Sequence, residues 1–324
     1  MGGVRRRLIG SMGLVLVAPA LAQGGKVWRI GFLGVPPAAS YGQRIAALRA
    51  GLRDFGYVEG RNLVVEWRWA EGRLDRLPGL AAELVRLNVD LIVTHTTPST
   101  MAAKNATSTI PIVIASVGDP VSTGLVQSLA RPGGNVTGLT FFQAELTTKR
   151  LEIIRQAYPK ARHVGLLINP ANPSHAIYLE SITGPAKALK LDLQLFAARA
   201  KEELDEALAS MVARKMEAAV VVEDPVTIAN ARQIAEKALA LRMPIIGFRE
   251  IAEGGGLMAY GVDLNESWRR AGFFIDRVLK GAKPAELPIE RASKFEMIVN
   301  LRTAKALGVR IPQVVLQGAD RVLE

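Results

Sequence analysis

The stretch Asp90-Leu91-Ile92-Val93-Thr94-His95-Thr96-Thr97-Pro98-Ser99 decides the fold. Its apolar run is short, rich in branched side chains and followed at once by hydroxyls and a proline. That is the signature of a strand buried on both faces, leading directly into a helix. Proline suits the first helical turn because it has no amide hydrogen to lose there. Working outward, the same form recurs. Strands are expected at Trp28 to Gly34, Leu63 to Trp69, Asp90 to His95 and Ile110 to Ser116, with helices at Tyr41 to Phe55, Leu74 to Leu87 and Ser99 to Thr107. Past a turn-rich crossover at Arg131 to Gly138 the order returns. Further strands are expected at His163 to Ile168, Leu193 to Ala197, Ala218 to Glu223 and Pro244 to Phe248, with helices at Ser174 to Leu189, Glu202 to Lys215 and Val226 to Leu241. A final strand Leu257 to Gly261, helix Glu266 to Leu279, strand Phe295 to Asn300 and helix Thr303 to Leu307 complete the reading.

Alternation of this kind makes an α/β protein of two Rossmann-like lobes, each a parallel-type sheet flanked by helices, joined by a hinge. The expected division is a leader at 1–22, one lobe from 23–138 plus 250–286, and a second from 139–249 plus 287–324. Crossings between the lobes are expected near 137–142, 247–251 and 284–292.

Ligands of open α/β sheets collect beyond the carboxyl ends of the strands. Four junctions there share one form: Thr97-Pro98, Asp119-Pro120, Asn172-Pro173 and Asp224-Pro225. Taken singly, each reads as plain helix capping. Taken together, they place helix N-termini, with free N–H groups and positive dipole ends, around one cleft. The hydroxyls of Thr96, Thr97, Ser99 and Ser116 suit a carboxylate, and Asp119 and Asp224 can accept from an ammonium group. Asn172 adds an amide at the same edge. Such a set describes an amino-acid-like zwitterion, and it would equally serve other polar ligands. Tyr41, Phe141, Phe142, Phe248 and Tyr260 lie near the same edges, where they read either as an apolar wall or as core.

The amino terminus carries Arg5-Arg6-Arg7, an apolar stretch from Leu8 to Val17, and Ala20-Leu21-Ala22. A basic start, short apolar centre and small-x-small end make a secretory signal peptide cleaved after Ala22. A membrane anchor would need about 20 apolar residues, and Pro19 interrupts these. The pattern leaves open the general and the twin-arginine export routes. There is no cysteine, hence no disulfide, no thiolate metal site and no cysteine for lipid attachment. Removing the leader lowers the formal charge from +11 to +8. Lys and Arg are dispersed and no aromatic-basic motif accompanies them, so nucleic acid is not an expected partner.

The chemistry of an enzyme finds little support. His95, His163 and His175 are far apart in sequence, and His-Glu-x-x-His, Gly-x-Ser-x-Gly, a dinucleotide loop and a phosphate loop are all missing. No catalytic residue, metal or cofactor is therefore expected.

Several runs resemble a known family: Gly51-Leu-Arg-Asp-Phe-Gly-Tyr-Val-Glu-Gly-Arg-Asn62, Asp119-Pro-Val-Ser-Thr-Gly-Leu-Val126, Ala130-Arg-Pro-Gly-Gly-Asn-Val-Thr-Gly138, Lys149-Arg-Leu-Glu152, Lys280-Gly-Ala-Lys-Pro284, and the tail from Asn300 to Gly308 with Ile311-Pro312 and Ala319-Asp320. In combination they are similar to ABC transporter substrate-binding proteins of the tryptophan/tyrosine type. The resemblance implies a type I periplasmic-binding-protein fold whose lobes close on a ligand, and delivery of that ligand to a membrane permease. It puts Thr96, Thr97, Ser116, Asp119, Asn169 and Asp224 in the cleft. Several relatives carry a lipobox cysteine that this chain lacks, so a free periplasmic monomer is expected. The expected function is capture of a small organic ligand for an ABC importer. The alternatives are a ligand-sensing module for a chemoreceptor or sensor kinase, and an exported α/β enzyme.

Overall fold

The structure, a computed structural model, describes residues 26–324; the signal peptide read at 1–22 lies outside the described residues. In chain order the first lobe begins with β1 (Trp28–Gly34), α1 (Gly42–Asp54), β2 (Leu63–Trp69), α2 (Leu77–Arg86), β3 (Leu91–Thr94), α3 (Thr97–Ala106), β4 (Ile112–Ile114) and β5 (Val136–Thr140). The second runs through α4 (Gln143–Ala157), β6 (His163–Ile168), α5 (Pro173–Ala188), β7 (Asp192–Ala197), α6 (Leu204–Ala213), β8 (Ala218–Val221), α7 (Pro225–Ala229), α8 (Ala231–Ala240), β9 (Ile245–Gly247), α9 (Arg249–Glu253) and β10 (Met258–Val262). Then come α10 (Leu264–Leu279), β11 (Glu290–Arg291), β12 (Phe295–Asn300), α11 (Leu301–Leu307), α12 (Gln313–Gln317) and β13 (Arg321–Leu323).

The first sheet has the order β11-β5-β4-β3-β1-β2, and every pairing in it is parallel. The second has the order β13-β12-β10-β9-β8-β6-β7, parallel except where β10 meets β12. Counting strands within each lobe, both sheets repeat the order 2-1-3-4-5, so strand order reverses between β1 and β3 and again between β6 and β8. Helices cover both faces of each sheet, which is why all four residues of β3 and all four of β8 are buried and why neither strand alternates apolar with charged residues. Each lobe accordingly has two apolar cores, one per sheet face.

The lobes exchange segments at three places: β5 to α4, β10 to α10, and β11 to β12. Two expected boundaries move. Residues 250–262 stay with the second lobe, because α9 packs on β9 and β10 pairs with β9 in parallel. Residues 287–291 stay with the first, because Glu290 and Arg291 pair with Leu139 and Thr140. Helix α10 does return to the first lobe. Its buried face of Trp268, Ala271, Gly272, Ile275 and Leu279 recurs every three or four residues and packs on α1 and the sheet, and its start is capped by Asp263, which accepts from the amides of Asn265 and Glu266.

Three local expectations also change. The helix read from Val226 to Leu241 is two helices broken at Asn230, whose side-chain amide donates to the carbonyl of Val226 at 2.8 Å. Asp119-Pro120 opens a series of turns rather than a helix. Thr97 is the first residue of α3, and the capping position belongs to Thr96, which makes no side-chain capping bond.

Candidate functional site

The carboxyl ends of β1, β3, β6 and β8 converge on a cleft between the lobes. Tyr41, Arg44, His95, Thr96, Thr97, Ser116, Trp268 and Leu264 come from the first lobe, and Asn172, Ser174, Glu223, Asp224, Pro225 and Ile228 from the second. Gly118, Phe141 and Gln143 line it beside the first crossing, and the walls enclose about 440 Å³ of empty space, the mouth included.

On the second lobe the polar centre is Asp224, 2 % exposed. One oxygen accepts from Asn169 Nδ2 at 3.0 Å and from the Val226 amide at 2.9 Å; the other accepts from Asn172 Nδ2 at 2.9 Å. All three donors are neutral. The neighbouring acid differs: Glu223 is held by both terminal nitrogens of Arg150, itself fully buried and bonded to the carbonyl of Tyr260. Among the described residues, Glu223 is thus bonded to its countercharge, whereas Asp224 is bonded to neutral groups alone. A buried carboxylate satisfied only by neutral donors retains attraction for a cation brought in from outside.

On the first lobe the site opens on α3. Thr96 has φ 69° and ψ 150°, a region that side chains other than glycine rarely occupy and that costs about 1–3 kcal/mol. Its amide bonds the carbonyl of Ser116 at 2.9 Å, which ties the ends of β3 and β4 together. The strain sets the angle at which α3 presents its free N–H groups to the cleft. Beside it stands an aromatic wall: the His95 ring lies 4.8 Å from that of Tyr41, 5.1 Å from Trp268 and 5.8 Å from Phe32. Burial pushes the Tyr41 hydroxyl up to about 12. Burial, reinforced by the Arg44 cation, pulls His95 down to about 3, so the imidazole is neutral.

Of the residues expected from sequence, Thr96, Thr97, Ser116, Asn172, Asp224 and Tyr41 meet at the cleft. Four do not reach it. Ser99 is completely buried and donates to the carbonyl of His95. Asn169 is buried behind Asp224 and orients it. Asp119 spends its carboxylate on the amides of Val121 and Ser122 and on the Ser122 hydroxyl, and borders a smaller adjoining pocket. Tyr260 stacks on Phe295 at 6.1 Å against the second lobe's core. Arg44, His95, Gln143, Glu223 and Trp268 went unread as site residues, since none belongs to a motif; the signal available was that His95 and Glu223 each end an expected strand at the cleft.

The lobes are closed on each other. Arg44 on α1 pairs with Glu250 on α9, and Arg291 on β11 with Glu145 on α4 at 2.6 Å. The profile of ABC transporter substrate binding proteins matches residues 39–323. The chain belongs to this family. Membership makes it a solute-binding protein rather than an enzyme, in keeping with the sparse catalytic signals. The tyrosine-binding protein of Clostridioides difficile strain R20291 is 30% identical over 260 residues, 80% of this chain and 74% of that one. A Streptococcus pneumoniae ABC domain in complex with L-Trp superposes with a TM-score of 0.85 at 26% identity, covering 91% of this substrate-binding protein and 99% of that chain. A ligand-free, open substrate-binding protein from Clostridium difficile gives 0.67 at 24% identity, over 92% and 99% of the two chains. Among the described residues no helix is long and apolar enough to cross a membrane, and no group of three or more His, Cys, Asp or Glu could hold a metal ion.

Proposed function

We propose that this protein is the extracytoplasmic receptor of an ABC importer and that its ligand is an aromatic amino acid. The observation that carries the reading is Asp224, a carboxylate buried in the cleft with neutral partners only. A ligand ammonium supplies the missing cation. Across the cleft, the first-turn N–H groups of α3 and the hydroxyls of Thr96, Thr97 and Ser116 suit the ligand carboxylate. Tyr41, His95 and Trp268 offer aromatic faces to a ring. The tyrosine-binding relative and the L-Trp complex support the same choice.

Contacts to both lobes exist together only when the cleft is shut, so the ligand favours closure by its differential affinity for the closed form. Closure then offers a composite surface of both lobes to the permease. In this reading the mature protein is a monomer freed by cleavage after Ala22, carries no lipid anchor and needs no cofactor or nucleic acid.

Calorimetry of the mature protein against L-Trp, L-Tyr, L-Phe, L-Leu and L-Glu tests this. The aromatic three are expected to bind, and Asp224→Asn is expected to weaken them at least a hundredfold, about 3 kcal/mol, the cost of stranding a buried charge. Equal binding by the variant would remove the ammonium from Asp224. Binding of leucine or glutamate in preference to all three aromatics would overturn the ligand class.

A further inference from the structure

We propose that His95 selects among aromatic ligands, its imidazole Nε2 pairing with the polar group on the ring, the indole N–H or the phenol O–H. This rests on reading the cleft as an aromatic amino acid site and asks more of it. Five buried side-chain atoms lack a hydrogen-bond partner among the described residues: Thr147 Oγ1, the hydroxyls of Tyr158 and Tyr178, and Nε2 of His95 and of His175. Only His95 belongs to the wall of the main cleft. The other four are packed in the second lobe; His95 sits on the first, between β3 and α3, where a strand end meets the site.

A buried polar atom without a partner is costly, and native proteins keep few of them. At a ligand site the cost has a use. A ligand that satisfies the atom recovers it, whereas one of the same shape without the group leaves it unpaired, which is how a binding site discriminates strongly against the poorer analogue. The rings of Phe32, Tyr41 and Trp268 surround the imidazole and offer no replacement acceptor or donor from their faces. Their packing fixes the ring plane, so the free nitrogen has one direction in which to bond. Being neutral at physiological pH, the imidazole has one nitrogen able to accept, as an indole N–H requires. A protonated ring could only donate.

The consequence is an order of affinity. L-Trp or L-Tyr should bind about tenfold or more tightly than L-Phe. The variant His95→Phe keeps a ring in the aromatic wall and removes the nitrogen. It should bring the preference within about threefold, mainly by weakening the polar-ring ligand while L-Phe holds or gains. Should the variant not fold, the wild-type protein suffices. With histidine labelled in nitrogen-15, its three residues give few signals, and the Nε2 resonance of His95 should move on adding L-Trp or L-Tyr and stay on adding L-Phe. An unchanged preference in His95→Phe, or an unmoved Nε2 with L-Trp and L-Tyr bound, overturns the proposal. Binding of all three aromatics with equal affinity overturns it while leaving the aromatic reading intact. Binding of none of them overturns both.

Discussion

At the scale of the residue, the cleft sorts two acids that stand side by side in sequence. Glu223 is neutralised by Arg150 and serves the architecture; Asp224, bonded to two asparagines and an amide, is left for a ligand. The two buried histidines are sorted by a different physics. Burial holds His95 at about 3, against 6.5 when exposed, and lowers His175 in the same direction. A depressed folded pKa means that the unfolded chain takes up the extra proton as the pH falls below 6.5. For His95 the stability present above that pH is lost as the pH falls towards 3, at about 1.4 kcal/mol per pH unit. Urea unfolding of wild type and His95→Phe from pH 6 to pH 4 should therefore show the wild-type advantage shrinking by about that slope. A constant difference would mean that His95 protonates in the folded protein as readily as in the unfolded one. Roles at this scale were only partly legible in the residues as written. Asp119-Pro120 and Asp224-Pro225 look alike as text. The backbone beyond each proline separates them: a turn series absorbs Asp119 into its own amides, whereas Asp224 caps a helix with both oxygens at the cleft side of β8.

At the scale of the element, helix α10 decides how the first lobe is closed. It lies against α1 so tightly that a β-carbon on Gly51 would fall on the carbonyl of Arg269, and one on Gly272 would fall on the backbone of Gly51. Replacing Gly272 by alanine must push the two helices apart, with Trp268 and Ile275 behind them. The expected cost is ~1–3 kcal/mol, read by chemical denaturation, with a matching loss of ligand affinity because Trp268 moves with the helix. No loss of either would show that the helices can slide without penalty. Most elements were legible beforehand because two-face burial writes continuous apolar runs for strands, and one-face burial writes a three-to-four spacing for helices. The partition between lobes was less so. Nothing in the run Met258 to Val262 distinguishes a strand of one sheet from a strand of the other, since both sheets bury both faces. The choice is made by β9, which β10 pairs with in space. Tyr260 was misplaced for the same reason, as its neighbours come from β12 and not from the cleft.

At the scale of the whole molecule, the lobes are joined by three crossings and held shut by charges that meet across the gap. Arg44, buried beside Tyr41 and His95, reaches Glu250 from the opposite lobe. Glu250→Gln leaves the cleft residues in place and removes one end of this tie. It should speed ligand release about fivefold with little change in the association rate, because contacts made after encounter act mainly on dissociation. Stopped-flow fluorescence measures both rates, and an unchanged release rate would show that the tie does not hold the closed form. Small-angle scattering should show the radius of gyration falling when an aromatic amino acid is added. No compaction with a ligand shown to bind would overturn the closure mechanism.

The three crossings also govern how such a chain is made. Neither lobe is one continuous piece: the core around Ile30, Phe32 and Leu48 is completed only by Trp268, Phe274 and Ile275 of α10. A ribosome adding about 5–20 residues per second needs on the order of ten seconds to travel from the end of β5 to the end of α10. Throughout that time the first lobe is unfinished, its apolar face bare and open to chaperones or to a translocation machinery that requires unfolded cargo. The last-made quarter of the polypeptide is thus its lock, and a premature stop before α10 leaves both lobes without part of their cores.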